Sequence, residues 1–268
     1  MTASHRNAAV AGQFYPNDSA ALQSDINQYL NTVSKNSQPK KNAKAYIVPH
    51  AAYIYSGGIA ASAYNQLKKC SHSISNVVLL GPAHRVAFNG IAYCSAKFFN
   101  TPLGSVPVNN SIIKEIKHLN FMLCNDAAHE HEHSLEVQLP FLQTVLKKFT
   151  IIPLLVGNCN SLEVSILLEQ IWGDSETLIL VSSDLSHFNT YQVAKEMDNS
   201  TSKAITSLQP EKINYENACG RTPVNGLLDI AKKKNLKVSI LDVCNSGDTA
   251  GDKNRVVGYG SYSFTEVI

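Results

Sequence analysis

The hydrophobic and polar positions of this chain fall into two alternating patterns. Short, unbroken apolar runs occur at 45–48 (Ala-Tyr-Ile-Val), 77–80 (Val-Val-Leu-Leu), 149–156 and 177–182. Runs of that length, rich in Val, Ile and Leu, suit strands buried on both faces of a sheet. Pro153 inside 149–156 predicts an edge position or a bulge, because proline cannot donate to a ladder. Strand character also marks 90–95, 237–243 and 255–264, the last alternating Val257, Tyr259, Ser261 and Ser263. Between these runs the spacing becomes helical. Ser19 to about Thr32 places Leu22, Ile26, Tyr29 and Leu30 on one face, with Asp18 or Ser19 able to cap it. Helices are predicted from Gly57-Gly58 to Leu67 and over 111–118, 134–148, 161–172, 192–207, 211–218 and 224–234. Residues 1–17 read as loop and 34–44 as a polar, lysine-rich surface linker.

Strands alternating with helices predict right-handed crossovers. The expected fold class is therefore α/β, a mixed, mostly parallel sheet flanked by helices on both faces. No internal repeat or low-complexity segment divides the chain, so 1–268 reads as a single domain.

Three apolar runs are each followed within a few residues by a histidine. The first leads to Pro49-His50, the second to Gly81-Pro82-Ala83-His84, and the third to Ser182-Ser183-Asp184-Leu185-Ser186-His187. Open α/β sheets place ligands at the carboxyl ends of parallel strands. If the three strands share a sheet, three imidazoles converge there, which suggests a metal, a general base, or both. Imidazole is the commonest protein metal ligand, and such a pair of ligands as His50 and His84 suits iron, copper or zinc. Asp184 either accepts a hydrogen bond from the His187 ring or caps the following turn.

Other candidates have plainer alternatives. The tract His129-Glu130-His131-Glu132-His133 would show three histidines on one face if it were a strand. A polar loop before a helix near Ser134 is the simpler reading for His129 and His131. His133 and Glu136, at i and i+3, would share a helix face and border the pocket. Cys219 either fills a turn between helices or supplies a thiolate, and Cys244 competes with it. Tyr15, Tyr53 and Tyr55 either line a groove or lie in the core.

Composition narrows the classes. The 268 residues are 44% hydrophobic and 16% charged with net charge +2, which suits a globular domain and argues against disorder and against a dedicated nucleic-acid binder. Lys40-Lys41 and Lys232-Lys233-Lys234 read as solvated charge. No secretory pattern and no apolar run of roughly 20 residues is present, so a soluble, cytoplasmic protein without membrane association is expected. The six cysteines form no C-x-x-C pair, which disfavours disulfides and a zinc knuckle. The G-x-S-x-G, P-loop and H-E-x-x-H motifs are absent as well.

Taken in order, Ala11-Gly12-Gln13-Phe14-Tyr15-Pro16, Val48-Pro49-His50-Ala51-Ala52-Tyr53 with Tyr55-Ser56-Gly57, Leu80-Gly81-Pro82-Ala83-His84, Glu132-His133-Ser134-Leu135-Glu136-Val137-Gln138-Leu139-Pro140, Ile152-Pro153-Leu154-Leu155-Val156-Gly157, Ser182-Ser183-Asp184-Leu185-Ser186-His187 and Cys219-Gly220-Arg221 resemble the Memo family. Its bacterial and archaeal members are called AmmeMemoRadiSam system protein B. The resemblance spans essentially the whole chain, with Ala52 where the family usually has glycine. It implies a fold like that of LigB-type class III extradiol dioxygenases, in which two histidines and a carboxylate hold ferrous iron. It further implies metal ligands His50, His84 and Cys219, with Asp184 and His187 beside them as the acid–base group. A thiolate in place of the carboxylate keeps the ligand charge and softens the site, which favours iron (Fe2+) or copper redox chemistry, zinc being a further option.

A fold does not fix a reaction. Three readings follow: a mononuclear metal-dependent oxidoreductase of dioxygenase-like type, a non-catalytic module binding metal, small ligand or peptide in a vestigial site, and a role beside the radical SAM and AMMECR-type proteins that the family's bacterial name implies.

Overall fold

The structure, a computed structural model, describes residues 4–34 and 43–266. Most of the expected linker, with Lys40-Lys41, lies outside the described residues. The four apolar runs form the middle of the fold. Strands β2 (Ala45–Val48), β9 (Thr177–Ser182), β3 (Asn76–Pro82) and β8 (Thr150–Val156) lie side by side in that order, all parallel. Their residues are buried almost without exception, as unbroken Val/Ile/Leu runs require when helices cover both faces.

The other strands extend this parallel centre into a mixed sheet. On one side β12 (Val256–Thr265) joins β2 antiparallel, β11 (Lys237–Asn245) pairs antiparallel with β12, and β10 (His187–Asn189) pairs with the start of β12. On the other side β4 (Ile91–Tyr93) runs antiparallel to β8 and parallel to β7 (Met122–Cys124). A separate three-stranded sheet contains β1 (His5–Arg6), β5 (Phe98–Thr101) and β6 (Gly104–Pro107). None of its strands was apparent from the sequence pattern.

Pro153 is the expected edge in a local sense. β4 reaches only Leu155 and Val156, while the Ile151 carbonyl accepts from Asn109 N on the side away from β3. Pro153, two residues on, faces that same side, so its missing N–H falls in a gap between partners.

Helices α1 (Ser19–Ser34), α2 (Tyr53–Leu67) and α5 (Leu139–Val145) pack together, and α2 also covers β2, β11 and β12. Gly57, expected to open α2, instead lies inside it. A Cβ there would sit 2.8 Å from the Tyr29 ring, so the glycine lets α1 and α2 approach closely. Helix α6 (Ser161–Gln170) packs on α8 (Arg221–Lys233), which lies against β3 and β9. The β2–α2–β3 and β8–α6–β9 crossovers run in opposite directions along the sheet. Right-handed connections therefore put their helices on opposite faces. Helix α7 (Tyr191–Thr206) packs on β11 and β12, and the short α3 (Asn110–Ile116) and α4 (Asp126–Glu130) complete the set.

Two expected helices differ. The span 134–148 is a 3-10 turn, Glu136–Gln138, followed by α5. The span 211–218 is a 3-10 turn, Pro210–Lys212, then a loop in which Asn214 N donates to Asn217 Oδ1 and Glu216 N to Asn214 Oδ1. Asparagine side chains that satisfy nearby backbone compete with helix formation in this way.

Candidate metal centre

Because β2, β9 and β3 are parallel and in register, Val48 lies opposite Ser182 and Leu80 opposite Val181. The turns after all three strands therefore reach the same edge of the sheet. His50 and His84 follow their strands by two residues each, and their rings meet edge to face with centroids 5.1 Å apart.

A third imidazole joins them. His133 lies 4.8 Å from the His84 ring, nearly stacked on it, and 5.4 Å from the His50 ring. One potential donor atom from each of His50, His84 and His133 lies within 4.8 Å of the other two. Two hydrogen bonds bring the His133 segment to the strand ends. Ser134 Oγ donates to the Pro82 carbonyl (2.8 Å), and His84 N donates to Glu132 Oε2 (2.5 Å).

Glu132 organises this corner. Its Oε1 accepts from His84 Nδ1 (2.9 Å), His133 N (2.9 Å) and Ser134 N (3.0 Å). Burial alone would raise its pKa, but the adjacent His133 ring and the hydrogen bonds from His84 outweigh burial and hold the carboxyl well below the usual range. An ionised carboxylate only accepts, so His84 Nδ1 carries the proton and Nε2 presents a lone pair. His133 Nδ1 lies 3.2 Å from the same oxygen, yet it is buried and makes no hydrogen bond.

His50 is almost completely buried. Burial, then the neighbouring His84 and His133, push its pKa well below the ordinary value and keep it neutral. Its Nδ1 meets Ser182 Oγ at 2.9 Å. Its Nε2 lies 3.3 Å from Cys219 Sγ. The Cys219 thiol is pushed up to about 12, first by burial and then by Asp184, and so stays protonated without a metal. Gly220 N donates to Ser183 Oγ (3.0 Å), which anchors the cysteine turn to the end of β9.

The residues fit a transition-metal ion: three imidazoles converge, two offer Nε2, and one buried ring nitrogen makes no hydrogen bond. Cys219 stands outside this group of three, with its sulfur against the Nε2 of His50. Cys244 lies in β11 opposite Tyr259 and is not part of the group.

The other expected site residues have different neighbours. Asp184 is buried, and its Oδ1 accepts from His50 N (2.7 Å). Burial raises its pKa. The His187 ring bonds instead to the Leu185 carbonyl, through Nδ1 at 2.8 Å. A carbonyl only accepts, so Nδ1–H is fixed and Nε2 is free to take a proton. Tyr53 points into the core, where its hydroxyl donates to the Val137 carbonyl (2.6 Å). Glu136 is fully buried. It pairs with Arg6 and accepts from Ala9 N (2.7 Å), Val10 N (3.0 Å) and Tyr15 OH (2.5 Å), so it anchors the N-terminal segment instead of lining a pocket. A cleft of about 230 Å³ begins at Cys219, lined by Ala83, Val86, Phe88, Asn158 and Tyr215 among others.

Comparison with known proteins places the whole of this architecture in context. A family model described as Memo-like protein matches residues 6–263. A "MEMO1 family protein" of Metallosphaera sedula is 33% identical over 281 residues, covering 97% of this chain and 99% of that protein. Proteins with the same description are 34% identical in Sulfolobus acidocaldarius (97% and 99%) and 33% identical in Aquifex aeolicus (95% and 97%).

Proposed function

Because the chain belongs to the Memo-like family, we propose that it is a metalloprotein binding one transition-metal ion, iron(II) by preference, for redox chemistry on a small hydroxylated organic substrate. The observation that carries this reading is the convergence of His50, His84 and His133 within 4.8 Å. Their imidazoles supply the donors, and Cys219, 3.3 Å from His50 Nε2, supplies a fourth on losing its proton. When bound, such an ion offers Lewis-acid and one-electron chemistry.

The chain's own residues do the rest. Glu132 and Ser182 hold two rings with Nε2 outward. The cleft beside Cys219 takes the apolar body of a substrate and excludes water along Val86 and Phe88. His187, with Nδ1–H tied to Leu185, accepts a substrate hydroxyl proton at Nε2. Radical SAM and AMMECR-type proteins are the proposed partners.

The test is metal analysis of anaerobically purified protein alongside His133→Ala and Cys219→Ser, followed by oxygen consumption with a panel of phenols and catechols. About one iron per chain in wild type, lost in His133→Ala, is expected. Wild type without bound metal would end the metal reading. Retained metal without turnover would leave a binding module.

A further inference from the structure

Ser182, at the end of β9, is fully buried, and its hydroxyl has three close polar partners. They are Ser134 O at 2.6 Å, Gln138 Nε2 at 2.8 Å and His50 Nδ1 at 2.9 Å. A hydroxyl has one proton and two lone pairs. The Ser134 carbonyl only accepts, so the single proton goes there. Gln138 Nε2 also donates to the Pro49 carbonyl at 2.8 Å, and its Oε1 accepts from Tyr64 OH at 2.8 Å. Reversing that amide would set its oxygen against the Pro49 carbonyl, so its orientation follows from its partners. Gln138 therefore donates to Ser182 and takes one lone pair. The remaining lone pair can only accept a proton from His50 Nδ1.

We infer that Ser182 and Gln138 are positioning residues that dictate which nitrogen His50 offers to the metal centre. Tyr64 orients Gln138, Gln138 and Ser134 orient the Ser182 hydroxyl, and Ser182 holds His50 as the Nδ1–H tautomer with Nε2 bare. Tyr64, Ser134, Ser182 and Gln138 are all at or below 1% exposure, so bulk water does not substitute for any link. The lock on His50 is neutral, whereas His84 is held by an ionised carboxylate. Hydrogen bonding to a carboxylate makes an imidazole a stronger donor than bonding to a hydroxyl does. The centre is thus built with two unequal imidazoles.

This inference rests on the metal-centre reading for its affinity consequence and on hydrogen bonding alone for the tautomer. The experiment separates them. Histidine-¹⁵N-labelled, metal-free protein is examined by long-range ¹H–¹⁵N correlation, and zinc affinity is measured by competition with a chromophoric chelator. Wild type should show His50 wholly as Nδ1–H. Ser182→Ala should show a mixed or Nε2–H ring and bind zinc about 10–100-fold more weakly, the loss typical when a ligand's orienting partner is removed. Ser182→Thr, which keeps the hydroxyl, should restore both. A purely structural role would lower the melting temperature without changing the tautomer. If Ser182→Ala fails to fold, Gln138→Met is read in the same way. Nε2–H in wild type, or an unchanged tautomer with zinc affinity within twofold in the alanine variant, overturns the inference. A wild type that binds no zinc overturns the metal reading and the affinity consequence with it, and the spectrum still decides the tautomer.

Discussion

Arg6 offers the sharpest test of how the N-terminal segment supports the centre. The side chain is 7% exposed. Its Nε donates to the His129 carbonyl (3.0 Å), one terminal nitrogen donates to the Glu132 carbonyl (2.5 Å), and the other pairs with Glu136. Three interactions thus cross from β1 to the segment that carries Glu132 and His133. Arg6→Met keeps much of the apolar stem but leaves Glu136 buried without its cation. Removing one partner of a buried ion pair costs about 3–5 kcal/mol. Ala9 N, Val10 N and Tyr15 OH still solvate the carboxylate, which keeps the loss from exceeding that range.

Unfolding entropy near 60 °C is about 2.1 cal/mol/K per residue, or roughly 0.56 kcal/mol/K for a chain of this length. The substitution should therefore lower Tm by about 5–9 °C in differential scanning calorimetry of the metal-free protein. The two carbonyls that Arg6 holds belong to the segment presenting His133. The rise in Tm on adding saturating zinc should accordingly be smaller in the variant than in wild type. A Tm within about 1 °C of wild type, which is about 0.6 kcal/mol on this scale, together with an unchanged zinc response, would show that the Arg6 contacts neither stabilise the fold nor position the centre.

Two further outcomes follow from the charged groups at the site. In metal-free protein at pH 8, iodoacetamide should label the exposed Cys124 well before Cys219, whose thiol burial and Asp184 push up to about 12. Peptide mass spectrometry showing equal labelling rates would contradict the buried, protonated thiol. Glu132 has a folded pKa below its ordinary 4.5, so the stability it contributes is present above pH 4.5 and lost as pH falls toward the depressed value. Glu132→Gln should lower Tm at pH 7 and flatten the acid limb of the Tm–pH curve, and parallel acid limbs in the two proteins would refute that assignment.

The regular elements were readable wherever the local pattern was long. The four central strands are continuous apolar runs, and α1, α6, α7 and most of α8 follow a helical period over ten or more residues. Strands of two to four residues, such as β1, β5, β6 and β7, are too short to carry a period. The predicted helix at 211–218 had suitable composition, but Asn214 and Asn217 close turns with their own side chains. Pro223 lies in the first turn of α8, where its missing N–H costs nothing.

The site divides along the same line. His50 and His84 could be located from sequence because parallel strands bring their own C-terminal turns together. His133 was expected only to border the pocket, and its place as a third imidazole was not legible, because it depends on contacts between a loop and strand ends distant in sequence. As a polar tract before a helix, 129–133 gives no sign that Glu132 will turn inward to bond His84. What fixes the loop is partly a missing side chain. A Cβ on Gly81 would sit 2.8 Å from Leu135 Cδ2 and 2.9 Å from Ser134 Oγ. The glycine in Gly81-Pro82-Ala83-His84 thus gives room for the His133 loop to dock on β3, and Ser134 then bonds Pro82 while Glu132 bonds His84. The strand-end motif and the histidine-rich tract are two halves of one packing contact, and the third imidazole reaches the centre only because both are present.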